Sequence, residues 1–298
     1  MMQIARSQKT WENTFMISVV LAVYNEEETL GRCLESVKDL ADEIVIVDGG
    51  STDTTIEIAR KYHAHIIHTN NPPMFHINKQ KALDAAKGDW ILQLDADEVV
   101  SDALKNEIQQ VLNGTYPGVR NNKKKKLFDR HKQNLDRRDK NIGTGHGDVV
   151  AYFLPRLNFF LGGWLRHGGV YPDGLIRLVR KNKACYPCKS VHEMVKIDGR
   201  VSWLEQDLLH YADPTFSRYL LRANRYTSLT AQAMKKDRVA KTWVSTLHYM
   251  VFKPIAVFLS LYIRHKGILD GFPGFVWALF SGLHYPLAYM KYWEMDRA

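Results

Sequence analysis

Polar residues that could bind a metal ion and phosphate groups follow three apolar segments in the first hundred residues. They are Tyr24, Asn25 and Glu26 after the first segment, Asp48 after the second, and Asp95, Ala96 and Asp97 after the third. Two carboxylates spaced as Asp-x-Asp can hold a hard cation such as Mg²⁺, which adds substrate phosphate oxygens to its ligands. Such a cation would neutralise a diphosphate leaving group. A single Asp-x-Asp can also be a structural cap of a loop. The motif therefore indicates metal and diphosphate binding only if the three turns lie close together.

The pattern of apolar residues around these turns predicts alternating strands and helices. Strands are predicted at residues 16–23, 43–47, 64–68 and 90–94, and helices at residues 25–37, 52–62, 78–87 and 102–112. The first, second and fourth strands are almost wholly apolar, as in a parallel sheet buried on both faces. Because ligands bind at the carboxyl ends of such strands, the polar turns are expected to meet in one crevice. The sequence therefore predicts an α/β fold with a doubly wound, mostly parallel sheet.

The composition excludes several classes of protein. The chain has 298 residues, of which 45% are hydrophobic and 24% charged, so it can form a large core and is not wholly disordered. Its mean hydropathy of −0.30 is too low for a polytopic membrane protein. Three cysteines cannot form a disulfide framework and are typical of a reducing compartment. No Gly-x-Gly-x-x-Gly or Walker A motif is present, which disfavours dinucleotide-binding and P-loop proteins.

Most of the net charge of +9 lies in one short stretch. Between Arg120 and Lys140, ten lysine and arginine residues oppose three aspartates, which leaves +7. We see no apolar periodicity there and interpret residues 118–148 as a mobile basic insertion. Two interpretations of this stretch remain, a solvated loop and a contact with an anionic membrane surface. Phe128 is the one aromatic residue among these charges, so nucleic-acid binding is not expected.

The C-terminal part of the sequence predicts helices that face a membrane. Helices are predicted at residues 215–234 and 241–263, followed by a segment without charged residues at 272–290. Prolines interrupt this segment, and Lys253 with Pro254 lies in the middle of the preceding helix, which disfavours a membrane span. We expect segments that lie in the membrane interface, flanked by Arg264, Lys266, Lys291 and Trp293. A helical dimer interface, a cover for the core, or a true span are the alternatives.

Residues 16–113 resemble the family 2 glycosyltransferases, which have the GT-A fold. The motifs that carry the resemblance are Val23-Tyr-Asn-Glu26, Val47-Asp-Gly-Gly-Ser-Thr-Asp53, Gly88-Asp-Trp90 and Leu94-Asp-Ala-Asp-Glu98. The second half resembles a narrower group, the bacterial glucosyltransferases of the lipopolysaccharide core. Its motifs are Tyr171-Pro-Asp-Gly174, Arg177-Leu-Val-Arg180, Val191-His-Glu193, Leu209-His-Tyr211 and Lys266-Gly-Ile-Leu-Asp-Gly271.

The resemblance implies a role for individual residues. Those expected to contact the nucleotide sugar are Ala22, Tyr24, Asn25, Glu26, Asp48, Ser51, Lys79, Asp95 and Ala96. Those expected at a Mg²⁺ or Mn²⁺ ion are Asp97, Asp95 and His210. Glu193 is the candidate base for the acceptor hydroxyl, with His192 as its competitor. The family often has two acidic residues at that position, and this chain has His-Glu instead.

The resemblance also implies an inverting, metal-dependent transfer of a sugar from a nucleotide sugar, with UDP-glucose as first choice. The acceptor would be a lipopolysaccharide-core or other cell-surface glycan, and the enzyme would act on the inner face of the cytoplasmic membrane. Residues 1–213 would be the catalytic domain and residues 214–298 the membrane-facing region. A sugar-nucleotide nucleotidyltransferase and a noncatalytic nucleotide-sugar-binding protein are the alternatives. Cys185 and Cys188 are expected to be structural or free cysteines, with a zinc site or a redox pair as alternatives.

Overall fold

The computed structural model describes residues 15–139, 142–144, 146–188, 195–213 and 215–295. Contacts divide these residues into two compact units, which we treat separately. The first unit contains residues 15–156 and 172–210, and the second contains residues 157–171 and 211–295. The assignment of residues 1–213 and 214–298 to two functional regions stays a prediction.

The described residues form strands and helices that largely follow the predicted order. The strands are β1 (Ile17–Val23), β2 (Glu43–Asp48), β3 (His65–His68), β4 (Trp90–Leu94), β5 (Glu98–Val100), β6 (Val149–Phe160), β7 (Gly163–Leu165), β8 (Gly174–Arg180), β9 (Ala184–Cys185), β10 (Lys196–Ile197), β11 (Arg200–Trp203) and β12 (Leu208–His210). The helices are α1 (Leu30–Val37), α2 (Thr55–Lys61), α3 (His76–Ala85), α4 (Asp102–Leu112), α5 (Asn122–Asp139), α6 (Phe216–Lys236), α7 (Trp243–Leu247), α8 (Lys253–Leu259) and α9 (Gly271–Glu294).

The sheet of the first unit has the order β3-β2-β1-β4-β8-β6-β12-β5, with β11 beside β6. Strands β1 to β4 are parallel, and their register places Val23 beside Asp48 and Leu21 beside Leu94. The predicted α/β fold is therefore confirmed, and the three polar turns lie at one edge of the sheet. The parallel part ends at β4, because β8 runs antiparallel to both β4 and β6.

Helices cover both faces of this sheet, as expected for a doubly wound fold. Alternate residues of β1 point to opposite faces, so Val19 and Val20 belong to two separate apolar clusters. The first cluster contains Leu34 of α1 with β1 and α4, and the second contains Leu83 of α3. The fully buried strands thus fix the positions at which the polar turns emerge.

The basic stretch is a helix packed on the sheet, and its interpretation as a mobile insertion is wrong for Asn122–Asp139. The side chain of Phe128 is 1% exposed, and its ring stacks on Trp203 with 4.4 Å between ring centroids. Asn121 starts the helix, since its Oδ1 accepts a hydrogen bond of 3.0 Å from the backbone N–H of Lys123. Burial of the Phe128 ring therefore anchors a helix that is otherwise strongly charged.

The second unit is mainly helical. Residues Trp243–Arg264 form one continuous helix in which α7 and α8 are each followed by a π-helical turn. Helix α9 packs against this helix so closely that a Cβ on Gly282 would lie 2.7 Å from the carbonyl oxygen of Pro254. On its other side α9 packs against α6, and Ala231 of α6 and Ala288 of α9 are both fully buried. Within the described residues, Trp243–Arg264 is the one helix that is long and apolar enough to cross a membrane by length and composition alone.

We expect Phe128→Ala to lower the free energy of unfolding of the first unit by about 3–5 kcal/mol, because it removes a buried aromatic side chain from its stack on Trp203. Urea denaturation followed by circular dichroism would measure this loss. Lys125→Ala, at an exposed position of the same helix, is the control. Equal effects of the two substitutions would contradict the packing of α5 described here.

Candidate active site

The turns after β1 and β2 hold each other in place. Asn25 has a left-handed backbone with φ of +54°, and its N–H donates to Oγ of Ser51 over 2.9 Å. In return, the N–H of Thr52 donates to Oδ1 of Asn25 over 2.8 Å. Next along the chain, the N–H of Glu26 donates to the hydroxyl of Thr55 over 2.8 Å. The Asn-Glu residues of the first motif and the Ser-Thr residues of the second thus have one shared structural role, which is to hold the two turns together.

Asp48 ends β2 with a buried carboxylate. Its side chain is 2% exposed and accepts hydrogen bonds of 3.1 Å from the backbone N–H groups of Gly50 and Ser51. Gly50 has φ of +88°, a conformation that favours glycine. Asp48 therefore shapes the turn itself. The side chains predicted around it, Ala22 and Ser51, are half-buried, whereas Tyr24 is exposed.

Asp95 lies between two cations at the end of β4. Its Oδ1 is 2.5 Å from Nζ of Lys79 on α3, and its Oδ2 pairs with Arg177 of β8. Burial opposes ionisation of Asp95, but Arg177 and Lys79 hold the pKa of its carboxyl well below its usual value. Burial also lowers the pKa of the Lys79 ammonium group, and Asp95 opposes this shift. Lys79 and Asp95 thus lie side by side, and both oxygens of Asp95 already contact a cation.

Behind Asp95 lies a buried network that the sequence did not indicate as part of the site. Arg177 is 3% exposed and donates to Gln93 over 2.9 Å and to the fully buried Glu98 over 2.7 Å. Glu98 also contacts Arg156 over 3.3 Å and accepts a hydrogen bond of 2.9 Å from the backbone N–H of Asp95. The network therefore fixes the backbone of the Asp95-Ala96-Asp97 turn from below.

Asp97 faces His210, so two of the residues expected at a metal ion lie next to each other. Strand β12 pairs with β5 so that His210 lies opposite Glu98, and its Nε2 is 3.4 Å from Oδ2 of Asp97. Burial raises the pKa of the Asp97 carboxyl, but the hydrogen bond and charge of His210 outweigh burial and keep the pKa below its usual value. Asp97 is therefore ionised at neutral pH. Both side chains are partly exposed, at 24% and 11%.

Among the described residues, no group of three or more His, Cys, Asp or Glu side chains could hold a metal ion. Asp97 and His210 supply one oxygen and one nitrogen donor, which suits a cation that takes its other ligands from phosphate and water. Their chemistry therefore fits a Mg²⁺ or Mn²⁺ ion bound together with a diphosphate. Asp95 is less suited to this role, because a cation on it would compete with Lys79 and Arg177.

The remaining predicted residues divide into those that the structure describes and those that it does not. His192 and Glu193 lie outside the described residues. Cys185 is exposed and Cys188 half-buried, and neither forms a disulfide. The Sγ of Cys188 is 3.3 Å from the carbonyl oxygen of Tyr186. The expectation that these cysteines bind no metal stays a prediction.

We expect Arg177→Met to lower the free energy of unfolding of the first unit by about 3–5 kcal/mol, since it leaves the fully buried Glu98 and the partly buried Asp95 without their shared cation. Urea denaturation at neutral pH would measure the loss. Arg200→Met, which removes an exposed guanidinium from the same unit, provides the comparison and should change stability little. If both variants lose the same free energy, the buried network does not hold the site together.

Curated proteins with known names match nearly the whole chain. The lipopolysaccharide core biosynthesis glycosyltransferase LpsC of Rhizobium meliloti is 26% identical over 292 residues, which cover 93% of this chain and 92% of LpsC. The uncharacterized glycosyltransferase RT0209 of Rickettsia typhi is 26% identical over 270 residues, 87% of this chain and 80% of that protein. Both are named as glycosyltransferases.

A solved structure matches a smaller part of the chain. It is glucosyl-3-phosphoglycerate synthase of Mycobacterium tuberculosis in complex with Mn²⁺, UDP and glucosyl-3-phosphoglycerate, with 27% identity and a TM-score of 0.29. The match covers 33% of this chain and 40% of that protein. A TM-score this low supports no inference about fold or ligands.

The family model described as glycosyl transferase family 2 matches residues 18–162. This range contains the turns after β1, β2 and β4 together with Lys79 and the Asp95-Ala96-Asp97 turn. The predicted family and its GT-A type of α/β fold are thereby confirmed. Residues 18–162 belong to glycosyl transferase family 2, and the protein is a glycosyltransferase.

Proposed function

We propose that the protein transfers a sugar, most simply a hexose, from a nucleotide sugar to a lipopolysaccharide-core or other cell-surface glycan, with inversion at the anomeric carbon. The observation that carries this proposal is the juxtaposition of Lys79, Asp95, Asp97 and His210 at the carboxyl edge of the sheet. The similarity to LpsC over 93% of the chain supports a lipopolysaccharide-core acceptor. UDP-glucose is the first donor to test.

The donor would bind at the turns after β1, β2 and β4. The pairing of Asn25 with Ser51 and Thr52 presents a rigid backbone edge to the base and ribose. Lys79 supplies a cation for the diphosphate, and its ion pair with Asp95 holds the ammonium group in position before the donor arrives. A preorganised cation of this kind stabilises charge that develops on the leaving group.

Asp97 and His210 would hold a Mg²⁺ or Mn²⁺ ion. When bound, the cation would supply positive charge to the departing nucleoside diphosphate. Asp97 contributes a carboxylate that is already ionised at neutral pH. His210 orients this carboxylate through the contact of 3.4 Å.

The acceptor would be activated by Glu193, or by His192 if the histidine takes this role. The base accepts the proton of an acceptor hydroxyl as its oxygen attacks the anomeric carbon. The bond between that carbon and the diphosphate oxygen breaks, and the nucleoside diphosphate leaves with the electron pair. We place this reaction on the inner face of the cytoplasmic membrane, where the basic face of α5 would favour anionic surfaces.

Two other functions make different predictions in one assay. A sugar-nucleotide nucleotidyltransferase would release pyrophosphate from a nucleoside triphosphate and a sugar phosphate. A noncatalytic binding protein would be stabilised by a nucleotide sugar without turning it over. Incubation with a panel of labelled nucleotide sugars and Mn²⁺, read by thermal shift and by product release, would identify the donor. Pyrophosphate release would overturn the proposed transfer.

We expect Asp97→Asn to lower the rate of sugar transfer by roughly 100-fold or more at saturating Mn²⁺, since it removes a charged ligand of the proposed cation. Circular dichroism should show an unchanged fold. Asp102→Asn, whose side chain is 98% exposed, is the control and should retain activity. Transfer by Asp97→Asn at the unmodified rate would exclude the assigned metal role.

Glu193→Gln should lower kcat by about 10²–10⁴-fold with little change in donor affinity, because general base catalysis contributes in that range. Initial rates across acceptor concentrations and donor binding by calorimetry would separate the two effects. His192→Gln tests the competing base in the same assays. A larger kcat loss for His192→Gln than for Glu193→Gln would reassign the base to the histidine.

A further inference from the structure

The helix Trp243–Arg264 exposes a continuous apolar stripe. Five exposed side chains recur at every fourth residue: Leu247, Val251, Ile255, Leu259 and Ile263. Their exposed fractions run from 40% to 63%. Trp243, which is 80% exposed, lies at the N-terminal end of the helix.

The two π-helical turns keep this stripe on one side of the helix. A regular α-helix has about 3.6 residues per turn, so a spacing of four drifts by about 40° at each step and would wind around the helix. Each π turn accommodates one additional residue. The sixteen steps from Leu247 to Ile263 therefore complete close to four turns, and the five side chains stay in line.

Pro254 gives a physical cause for the first π turn. Proline has no N–H and clashes with the carbonyl group four residues earlier, which here belongs to Met250. Met250 lies within the π turn His248–Phe252, where the widened backbone relieves this clash. The sequence thus places Pro254 among apolar residues spaced four apart. Those residues line up on one side only when the helix is widened by π turns.

The opposite side of the same helix faces protein. The ring of Tyr249 stacks on Tyr289 of α9 with 5.0 Å between centroids. Nζ of Lys253 lies 5.0 Å from the centroid of the Tyr285 ring, so this charge points away from the apolar stripe. Thr246 contacts Tyr289 through their hydroxyl groups at 3.2 Å. Thr246, Tyr249 and Lys253 are therefore used in packing on α9.

Helix α6 packs on the far side of α9 partly through polar contacts. Lys291 of α9 donates hydrogen bonds of 2.6–2.9 Å to Asn224, Thr227 and Ser228 of α6. Thr230 of α6 contacts His284 of α9 at 2.9 Å. These polar groups between α6 and α9 disfavour a position of all three helices inside the hydrocarbon core.

The charges around the stripe have one sign. Residues 238–269 contain no aspartate or glutamate and five lysine or arginine residues. Arg264 and Lys266, both exposed, lie at the C-terminal end of the stripe, and Lys241 precedes its N-terminal end. Basic residues beside an apolar helix face, with a tryptophan at one end, are typical of a helix that lies in an anionic lipid interface.

We propose that the stripe from Leu247 to Ile263 binds the surface of a lipid bilayer that contains anionic headgroups, with the helix parallel to the membrane plane. This inference extends the membrane location given under the proposed function and assigns it to one helix face. It does not depend on the donor, the acceptor or the metal, because lipid binding requires no turnover.

Vesicle flotation of the full chain tests the proposal. Vesicles of phosphatidylcholine with one quarter phosphatidylglycerol, and of phosphatidylcholine alone, are mixed with the protein in the absence of nucleotide sugar and divalent cations. The stripe variant is Ile255→Gln with Ile263→Gln, and both positions are more than half exposed. Leu221→Gln on α6, where the side chain is 73% exposed, is the matched control. Ile255→Leu with Ile263→Leu tests whether apolar character alone suffices.

We expect the unmodified protein and the leucine variant to float with the anionic vesicles, and more weakly with the neutral ones. The glutamine stripe variant should bind at least about tenfold more weakly, since it replaces two apolar side chains with polar ones. Leu221→Gln should stay within twofold of the unmodified protein. Circular dichroism and sugar transfer to a soluble acceptor report separately on the fold and on the proposed function.

Three results would overturn the proposal. The first is equal flotation of the stripe variant and the unmodified protein. The second is an equal loss for Leu221→Gln, which would remove the specificity for the stripe. The third is a lipid-free dimer in light scattering that the stripe variant converts to a monomer, which would assign the stripe to a second copy of the chain.

Discussion

The ion pairs of Arg177 with Glu98 and Asp95 are the constraint on which the proposed site depends. Arg177 comes from β8, which runs antiparallel to β4, and it reaches the turn that ends β4 from below the sheet edge. A buried guanidinium and a fully buried carboxylate cannot be separated without a large desolvation penalty. The Asp95-Ala96-Asp97 turn is therefore held by the interior of the protein, and its exposed side can be used for chemistry.

The charged side chains near the Asp95-Ala96-Asp97 turn fall into two groups with different partners. In the ion-pair network around Arg177, Asp95, Glu98 and Asp173 are balanced by Lys79, Arg156 and Arg177. Asp97 stands at the edge of this neutral group and contacts His210 instead. Two carboxylates that look equivalent in an Asp-x-Asp motif thus have different partners. Asp95 is held between Lys79 and Arg177, whereas Asp97, among the described residues, has no such pair of cations and contacts a histidine.

Local pattern predicted the parts of the fold that depend on neighbours in sequence. Strand β4 and helix α4 were placed to the residue, because their apolar spacing and flanking caps are local signals. The roles of Arg177 and Glu98 could not be predicted, since their contact joins residues 79 positions apart, on strands β8 and β5. Helix α5 was not predicted, because Phe128, His131 and Leu135 have helical spacing but lie among many lysine and arginine residues. The π turns likewise depend on packing, although Pro254 and the fourfold apolar spacing were visible signals.

The packing of α5 on the sheet also determines which basic residues could be substituted to change the isoelectric point of the protein. Only a narrow side of α5, centred on Phe128, is buried against the sheet. The surrounding lysine and arginine side chains make up most of the net charge, yet the hydrogen bonds that shape the turns after β1, β2 and β4 do not involve them. Exposed lysines of α5, such as Lys125, could therefore be replaced or acetylated, which would lower the isoelectric point while the buried Phe128 and the β-sheet stay unchanged.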